Sequence, residues 1–192
     1  MKPKQALLLL TALVFIVSSA ILIAQETEVK KEVEKEVGKE DVCEVKVRPT
    51  EVKNHYEFEI LLTNKEPINA MSFPFYISAG EKKMYYDSVS FEGSRAEFCA
   101  VKIPNPDTAS QKINLGILTS MTPPIRYIDP GEGRIAKLYF TGDNGVTVND
   151  IVVDTTFFPP SNHLMGVLPD GKTQIYPKFK YTVVEEEKEE EE

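Results

Sequence analysis

Apolar and polar side chains alternate along most of the middle of the chain. In HYEFEILLTN, which starts at His55, every second residue from Tyr56 to Leu62 is apolar. A period of two is typical of a β-strand with one buried and one solvent-facing side. Similar runs start at Val42, Ile68, Lys83, Arg95, Gln111, Gly133, Val148 and Gln174. The pattern therefore predicts nine strands within residues 42–184.

Polar turn segments separate these runs. They include NKEP from Asn64, PNPD from Pro104, DPGEG from Asp129 and GDNG from Gly142. No stretch of residues 42–184 carries a clear apolar face with the helical period of 3.6. Short strands bounded by such turns favour two packed sheets over alternating strand and helix units. We predict an all-β fold, a nine-stranded antiparallel β-sandwich or jelly roll over residues 42–184.

The beginning of the chain has a different composition. Lys2 and Lys4 precede a low-charge stretch, residues 6–24, that is rich in Leu, Val and Ile. This arrangement is typical of an export signal. We predict that residues 1–24 are a signal peptide or, if they stay uncleaved, a signal-anchor helix, because the stretch nearly spans a hydrocarbon core of ~30 Å. Either way, the rest of the chain is predicted to be secreted or anchored to the cell envelope, outside the cytoplasm.

Two charged segments flank the predicted sandwich. Residues 25–41 carry Val29, Val33 and Val37 four positions apart among interleaved Glu and Lys. One thin apolar stripe does not fill a core, so this segment is predicted to be a charged spacer. Residues 185–192 read EEEKEEEE. Their mutual repulsion predicts a disordered acidic tail.

Charge excludes some partners. The formal net charge is −8 at pH 7, with much of the acid in the two flanking segments. Nucleic acid and anionic lipid are polyanions that bind basic stripes. Because the sequence has no such stripe, we predict no nucleic-acid partner, and membrane contact only through an uncleaved N-terminal segment.

Candidate catalytic groups do not converge in the sequence. The two histidines, His55 and His163, are far apart and neither has a nucleophile motif nearby. Glu57 and Glu59 are two residues apart on one strand, where they are expected on a wet surface rather than in a glycosidase pair. Asp143-Asn144-Gly145 favours a tight turn over a calcium site. We predict no enzyme activity, no cofactor and no bound metal.

The two cysteines lie in the predicted exported part. Alternation places Cys43 on one face with Val45 and Val47, and Cys99 on one face with Val101 and Ile103, both pointing inward. An oxidising compartment permits a disulfide between Cys43 and Cys99. A bridge and two buried free thiols both remain open at this point.

Three segments resemble, in the same order, the strands of cohesin-like domains of secreted bacterial proteins. They are LLTNKEPINAMSFPFYI from Leu61, DSVSFEGSR from Asp87 and GEGRIAKLYFTG from Gly131. The resemblance extends over residues 42–184. It implies a nine-stranded jelly roll, similar in fold to carbohydrate-binding modules, that acts without catalysis as a receptor for a dockerin-like protein or a polysaccharide.

The resemblance also implies a binding face, because the partner face of cohesin-like domains includes the third and sixth strands. In this chain it would contain Ser72, Pro74, Tyr76, Asn114 and Gly116. The predicted function is therefore an exported binding or assembly module. The alternative is a structural surface or filament subunit of the cell envelope that associates through an open sheet edge.

Overall fold

A computed structural model describes residues 40–158 and 163–184, and the strands are numbered in chain order. They are β1 (Val42–Pro49), β2 (His55–Asn64), β3 (Ala70–Ser78), β4 (Met84–Ser90), β5 (Val101–Asp107), β6 (Lys112–Leu118), β7 (Gly131–Gly142), β8 (Val152–Thr155), β9 (Met165–Val167), β10 (Gln174–Ile175) and β11 (Lys178–Val183). A 3₁₀ turn, Val148–Asp150, precedes β8. The predicted signal or anchor, residues 25–39 of the spacer and the acidic tail lie outside the described residues. In the described part of the chain, no helix has the length and apolarity needed to cross a membrane.

The strands form two sheets with the core between them. The five-stranded sheet has the order β11-β1-β2-β7-β4. The six-stranded sheet has the order β10-β9-β3-β6-β5, with β8 also paired to β3. The predicted all-β sandwich is confirmed, with two corrections. Residues 40–158 and 163–184 contain eleven strands rather than nine, and β1 and β11 are parallel while the other pairs in this part are antiparallel.

Short strands account for the higher count. β9 has only three residues, too few to show a period. The run from Gln174 contains two strands because Pro177, which has no amide hydrogen, stands between β10 and β11. At this point the chain passes from the six-stranded to the five-stranded sheet.

The run from Arg95 was predicted in the wrong phase. Residues 95–100 form turns, and the strand begins only at Val101. Pairing with β6 places Ile103 opposite Gly116. Ile103 therefore points outward and is 58% exposed, although alternation from Cys99 predicted an inward position. Turns before a strand shift its phase, and a one-residue shift moves every side chain to the other face.

The central strands supply the core as predicted. On β2, Phe58, Ile60 and Leu62 are buried, and the same holds for the alternate residues of β3 from Met71 to Ile77. These two strands lie inside their sheets, with neighbours on both sides. Their inward faces meet residues of β1, β6 and β7 in one hydrophobic cluster.

Pro74 lies inside β3, where a residue without an amide hydrogen normally breaks the ladder. On one side, β3 pairs with β9 up to Ser72 and with β8 from Phe75 onward. Pro74 falls between these two partners, and its carbonyl oxygen accepts a hydrogen bond from the Thr156 N–H at 3.1 Å. The Pro74 nitrogen, which has no hydrogen, therefore faces the side of β3 on which the partner changes from β9 to β8. On the other side, the pairing of Pro74 with Asn114 of β6 is kept.

Cys43 and Cys99 are both buried and both free thiols. A disulfide between Cys43 and Cys99 in an oxidising compartment stays a prediction. Burial raises the pKa of Cys43, and burial also raises the pKa of Cys99, where Lys102 and Arg126 oppose the shift.

The thiols should consequently react slowly in the folded protein. We expect iodoacetamide at pH 8 to add almost no mass to the native protein, because burial limits both access and the thiolate fraction. In denaturant without any reductant, two adducts per chain should form. Intact-mass spectrometry checks both, and an unmodified mass in denaturant that changes only after reduction would show a disulfide instead.

Candidate functional site

The five residues predicted for binding lie together on the outer face of the six-stranded sheet. β3 and β6 place Ser72 opposite Gly116, and Pro74 opposite Asn114. Tyr76 lies two residues after Pro74 on β3, on the same face and opposite Lys112, and is 39% exposed. Alternation along both strands thus brings residues some forty positions apart in sequence onto one surface.

Two apolar residues that the sequence analysis did not assign extend this surface. Ile103 of β5 lies opposite Gly116, and Met165 of β9 lies opposite Ser72. Ile103, Gly116, Ser72 and Met165 therefore form one row across the four strands β5, β6, β3 and β9. Because Gly116 and Ser72 are small residues, the larger Ile103 side chain projects beyond them into solvent. The apolar run VKI from Val101 could have indicated Ile103 only with the correct strand phase.

Asn114 lies in the middle of the outer face and is only 8% exposed. The Ser72 hydroxyl donates a hydrogen bond to Asn114 Oδ1 at 2.9 Å. This bond orients the amide side chain of Asn114. Asn105 of β5 is the neighbour of Asn114 across the ladder and is exposed.

One end of the outer face is charged. Asp107, Lys112, Tyr76 and Asp154 occupy successive strands in one row. The rows through Ile103 and Asn114 contain no charged residue. The outer face therefore consists of an uncharged centre with apolar and amide groups, bordered on one side by a polar row.

The opposite surface, the outer face of the five-stranded sheet, has a different chemistry. Arg48 Nε lies 2.9 Å from Glu57 Oε1, and Arg48 Nη2 lies 3.0 Å from Glu59 Oε2. Lys137 Nζ is 3.0 Å from Glu57 Oε2, and Arg134 lies 3.7 Å from Glu59. Glu57 is only 9% exposed, so the expectation of a freely solvated strand face is wrong at this position. The charged groups in the middle of this surface, on β2 and its neighbours, are thus paired with one another.

The histidines lie in separate surroundings. His55 Nε2 is 3.2 Å from Asp87 Oδ2 on the five-stranded sheet, and the His55 ring stacks on Tyr139. His163, next to β9, contacts Phe157. Within residues 40–158 and 163–184, no group of three or more His, Cys, Asp or Glu side chains is arranged to hold a metal ion.

The Asp143-Asn144-Gly145 segment forms a turn, as the sequence favours. Gly145 has φ +77°, a value that suits glycine. Asp143 accepts hydrogen bonds from the Lys83 N–H at 2.9 Å and from the Tyr85 hydroxyl at 3.2 Å. These contacts tie the turn to β4.

The two sheets and their strand order define a cohesin-like fold. The sixth cohesin of scaffoldin B from Acetivibrio cellulolyticus, solved in complex with a Cel5 dockerin mutant, matches with a TM-score of 0.57 and 15% identity, over 77% of this chain and 100% of that chain. The third cohesin of ScaC from the same organism, in complex with the ScaB dockerin, matches with a TM-score of 0.55 and 17% identity, over 76% of this chain and 98% of that chain.

An archaeal structure is similar as well. The non-cellulosomal cohesin of the hyperthermophile Archaeoglobus fulgidus has a TM-score of 0.52 and 11% identity, over 79% of this chain and 95% of that chain. No protein-family model matches the sequence, and no curated protein matches it. At these identities the similarity establishes the fold, and function has to be argued from the surfaces.

Proposed function

We propose that this protein is a non-catalytic binding module that receives a protein partner on the outer face of the six-stranded sheet. The observation that supports it is the contrast between the two outer faces. One offers the exposed Ile103 beside small uncharged residues, whereas the other has Arg48, Glu57 and Lys137 paired among themselves. Depletion of charge at the centre with a polar rim is the composition of protein interfaces.

The proposed partner is a dockerin-like protein. The cohesins of scaffoldin B and ScaC that share this fold were solved in complex with dockerins. The predicted export segment suits such a role, since it would place the module outside the cytoplasm, secreted or held at the cell envelope. Ser72, Tyr76 and Gly116 would contact the partner together with Ile103 and Met165, while Pro74 and Asn114, both buried, would lie beneath that contact.

Two other roles have less support. A polysaccharide platform uses a planar row of exposed rings, and Tyr76 is the one aromatic residue in the rows of the outer face described above. A filament subunit would pair through a sheet edge. The edge strand β5 carries Pro104 and Pro106, which lack amide hydrogens, and the edge strand β11 carries Lys178 and Lys180. Prolines and lysines on edges oppose such pairing.

The experiment is a titration of the full chain with a panel of purified dockerins, followed by calorimetry. For a dockerin that binds, we expect Ile103→Asp to weaken affinity about 100-fold, because it places a charge at the apolar centre of the interface. Val52→Asp is the matched control, since Val52 is also exposed, at 64%, but lies in the β1–β2 turn. Thermal melts of both variants exclude unfolding as the cause.

Equal affinity of Ile103→Asp and wild type would contradict this use of the outer face. Retention of the full chain on insoluble polysaccharide, with no dockerin bound, would favour the carbohydrate-binding role instead.

A further inference from the structure

A groove lies at the end of the sandwich between the β4–β5 loop and the β6–β7 loop. Its volume is about 580 Å³. Phe98, Ile125 and Tyr127 form its apolar lining, and Ser94, Arg95 and Arg126 are among its polar residues. It is separate from the residues predicted for binding from the sequence.

One of the two arginines has a structural role. Arg95 donates hydrogen bonds to the Leu62 carbonyl at 2.8 Å, the Gly131 carbonyl at 3.2 Å and Asn64 Oδ1 at 2.8 Å, and also to the Asp129 carbonyl. These acceptors occupy both of its terminal nitrogens. Arg95 therefore fixes one wall of the groove and is not the group that would bind a ligand.

Arg126 is in the opposite situation. Its guanidinium lies over the Phe98 ring, 4.2 Å from the centroid, and the residue is exposed. Among the residues that the structure describes, it makes no hydrogen bond or ion pair. Stacking on a ring holds the planar group in place and leaves its N–H edges free, the geometry that binds a carboxylate with two parallel hydrogen bonds.

The two loops that line the groove are joined directly to strands β5 and β6 of the six-stranded sheet. The β4–β5 loop runs directly into Val101 of β5, and the β6–β7 loop starts directly after Leu118 of β6. The Ala100 N–H donates to the Thr119 carbonyl at 3.0 Å, which joins the two loops. Met121 and Ile125 are 74% and 47% exposed on the second loop. A partner that covers the row through Ile103 would therefore lie near the two loops that line the groove.

We infer that the protein partner bound on the outer face also places an acidic side chain in this groove, with its carboxylate on Arg126 and a neighbouring aliphatic side chain against Ile125. This inference rests on the proposed function and adds a specificity contact to it. A single carboxylate suits the groove better than a polyanion, because the chain has a formal net charge of −8 and Asp129 also lines the groove.

The test uses a random 12-residue peptide library displayed on phage and selected on the immobilised full chain. We expect enrichment of Asp or Glu next to an aliphatic residue. A synthetic peptide from the enriched set should bind Arg126→Gln about tenfold more weakly than wild type, and Arg126→Lys should retain part of the affinity. Replacing the acidic side chain of the peptide by its amide should weaken binding to the wild-type protein by a similar factor. The same replacement should leave binding to Arg126→Gln almost unchanged.

That coupling is the readout that a merely structural role of Arg126 would not produce. Additive effects of the two changes, unchanged affinity of Arg126→Gln, enrichment without acidic residues, or no enrichment at all would each overturn the inference. So would Arg126-dependent binding of oligogalacturonate in place of peptide, which would make the groove a glycan site.

The dockerin titration separates this inference from the proposed function. Loss of dockerin binding in Ile103→Asp, with peptide binding unaffected by Arg126→Gln, would contradict the proposed role of the groove and leave the proposed role of the outer face intact. Arg126-dependent peptide binding, with dockerin binding unaffected by Ile103→Asp, contradicts the use of the outer face and leaves the groove as a separate site for an acidic peptide.

Discussion

Replacing Phe58 by alanine should lower the free energy of unfolding by about 3–5 kcal/mol, the usual cost of removing a large aromatic side chain from a core. Phe58 is 1% exposed on β2, in the middle of the five-stranded sheet. Its ring packs on Phe140 of β7 with centroids 4.8 Å apart. Alanine would leave a cavity that both sheets border, and strands fixed by pairing on two sides cannot move to fill it.

Urea unfolding of the full chain followed by circular dichroism measures this effect. Phe157→Ala is the control, because Phe157 is 48% exposed and should change stability by less than about 1 kcal/mol. A loss for Phe58→Ala no larger than that of Phe157→Ala would show that Phe58 is not in a tightly packed core.

Replacing Arg95 by methionine should lower the free energy of unfolding by about 3 kcal/mol, although Arg95 is not part of the hydrophobic core. Asn64 is 3% exposed and depends on Arg95 as the donor to its Oδ1 at 2.8 Å. The Leu62 carbonyl also loses a donor. Methionine keeps much of the apolar stem, so the main cost is the set of acceptors left without partners.

The matched control is Arg126→Met. Arg126 has the same charge and lines the same groove, but its guanidinium stacks on the Phe98 ring and the residue is exposed. We expect a change below about 1 kcal/mol, in line with exposed cation–π contacts. Equal losses for the two variants, measured by the same urea titration, would contradict the different roles given to these arginines.

The two outer faces show how one period of alternation supports two different surfaces. Both sheets expose every second residue, yet Glu57 and Glu59 are held in ion pairs while Ser72 and Asn114 bond to each other beside Ile103. Charges already paired within one chain gain little from a partner, because breaking existing contacts offsets the new ones. An uncharged face with an exposed apolar residue has more to gain from burial.

The sequence by itself determined the all-β class, the position of β2 and the inward residues of β2 and β3. Those features are local, because alternation within one strand decides which side of it is apolar. It also indicated that Ser72, Pro74 and Tyr76 share a face, which the structure shows.

Only the tertiary structure decided the features that depend on distant neighbours. The outward position of Ile103 follows from pairing with Gly116, and the tolerance of Pro74 follows from the change of partner between β9 and β8. The bonds of Arg95 to Leu62 and Asn64 likewise depend on how segments far apart in the chain meet. Alternation carries no information on such meetings, since strand phase and partner are set by pairing and packing across the whole sandwich.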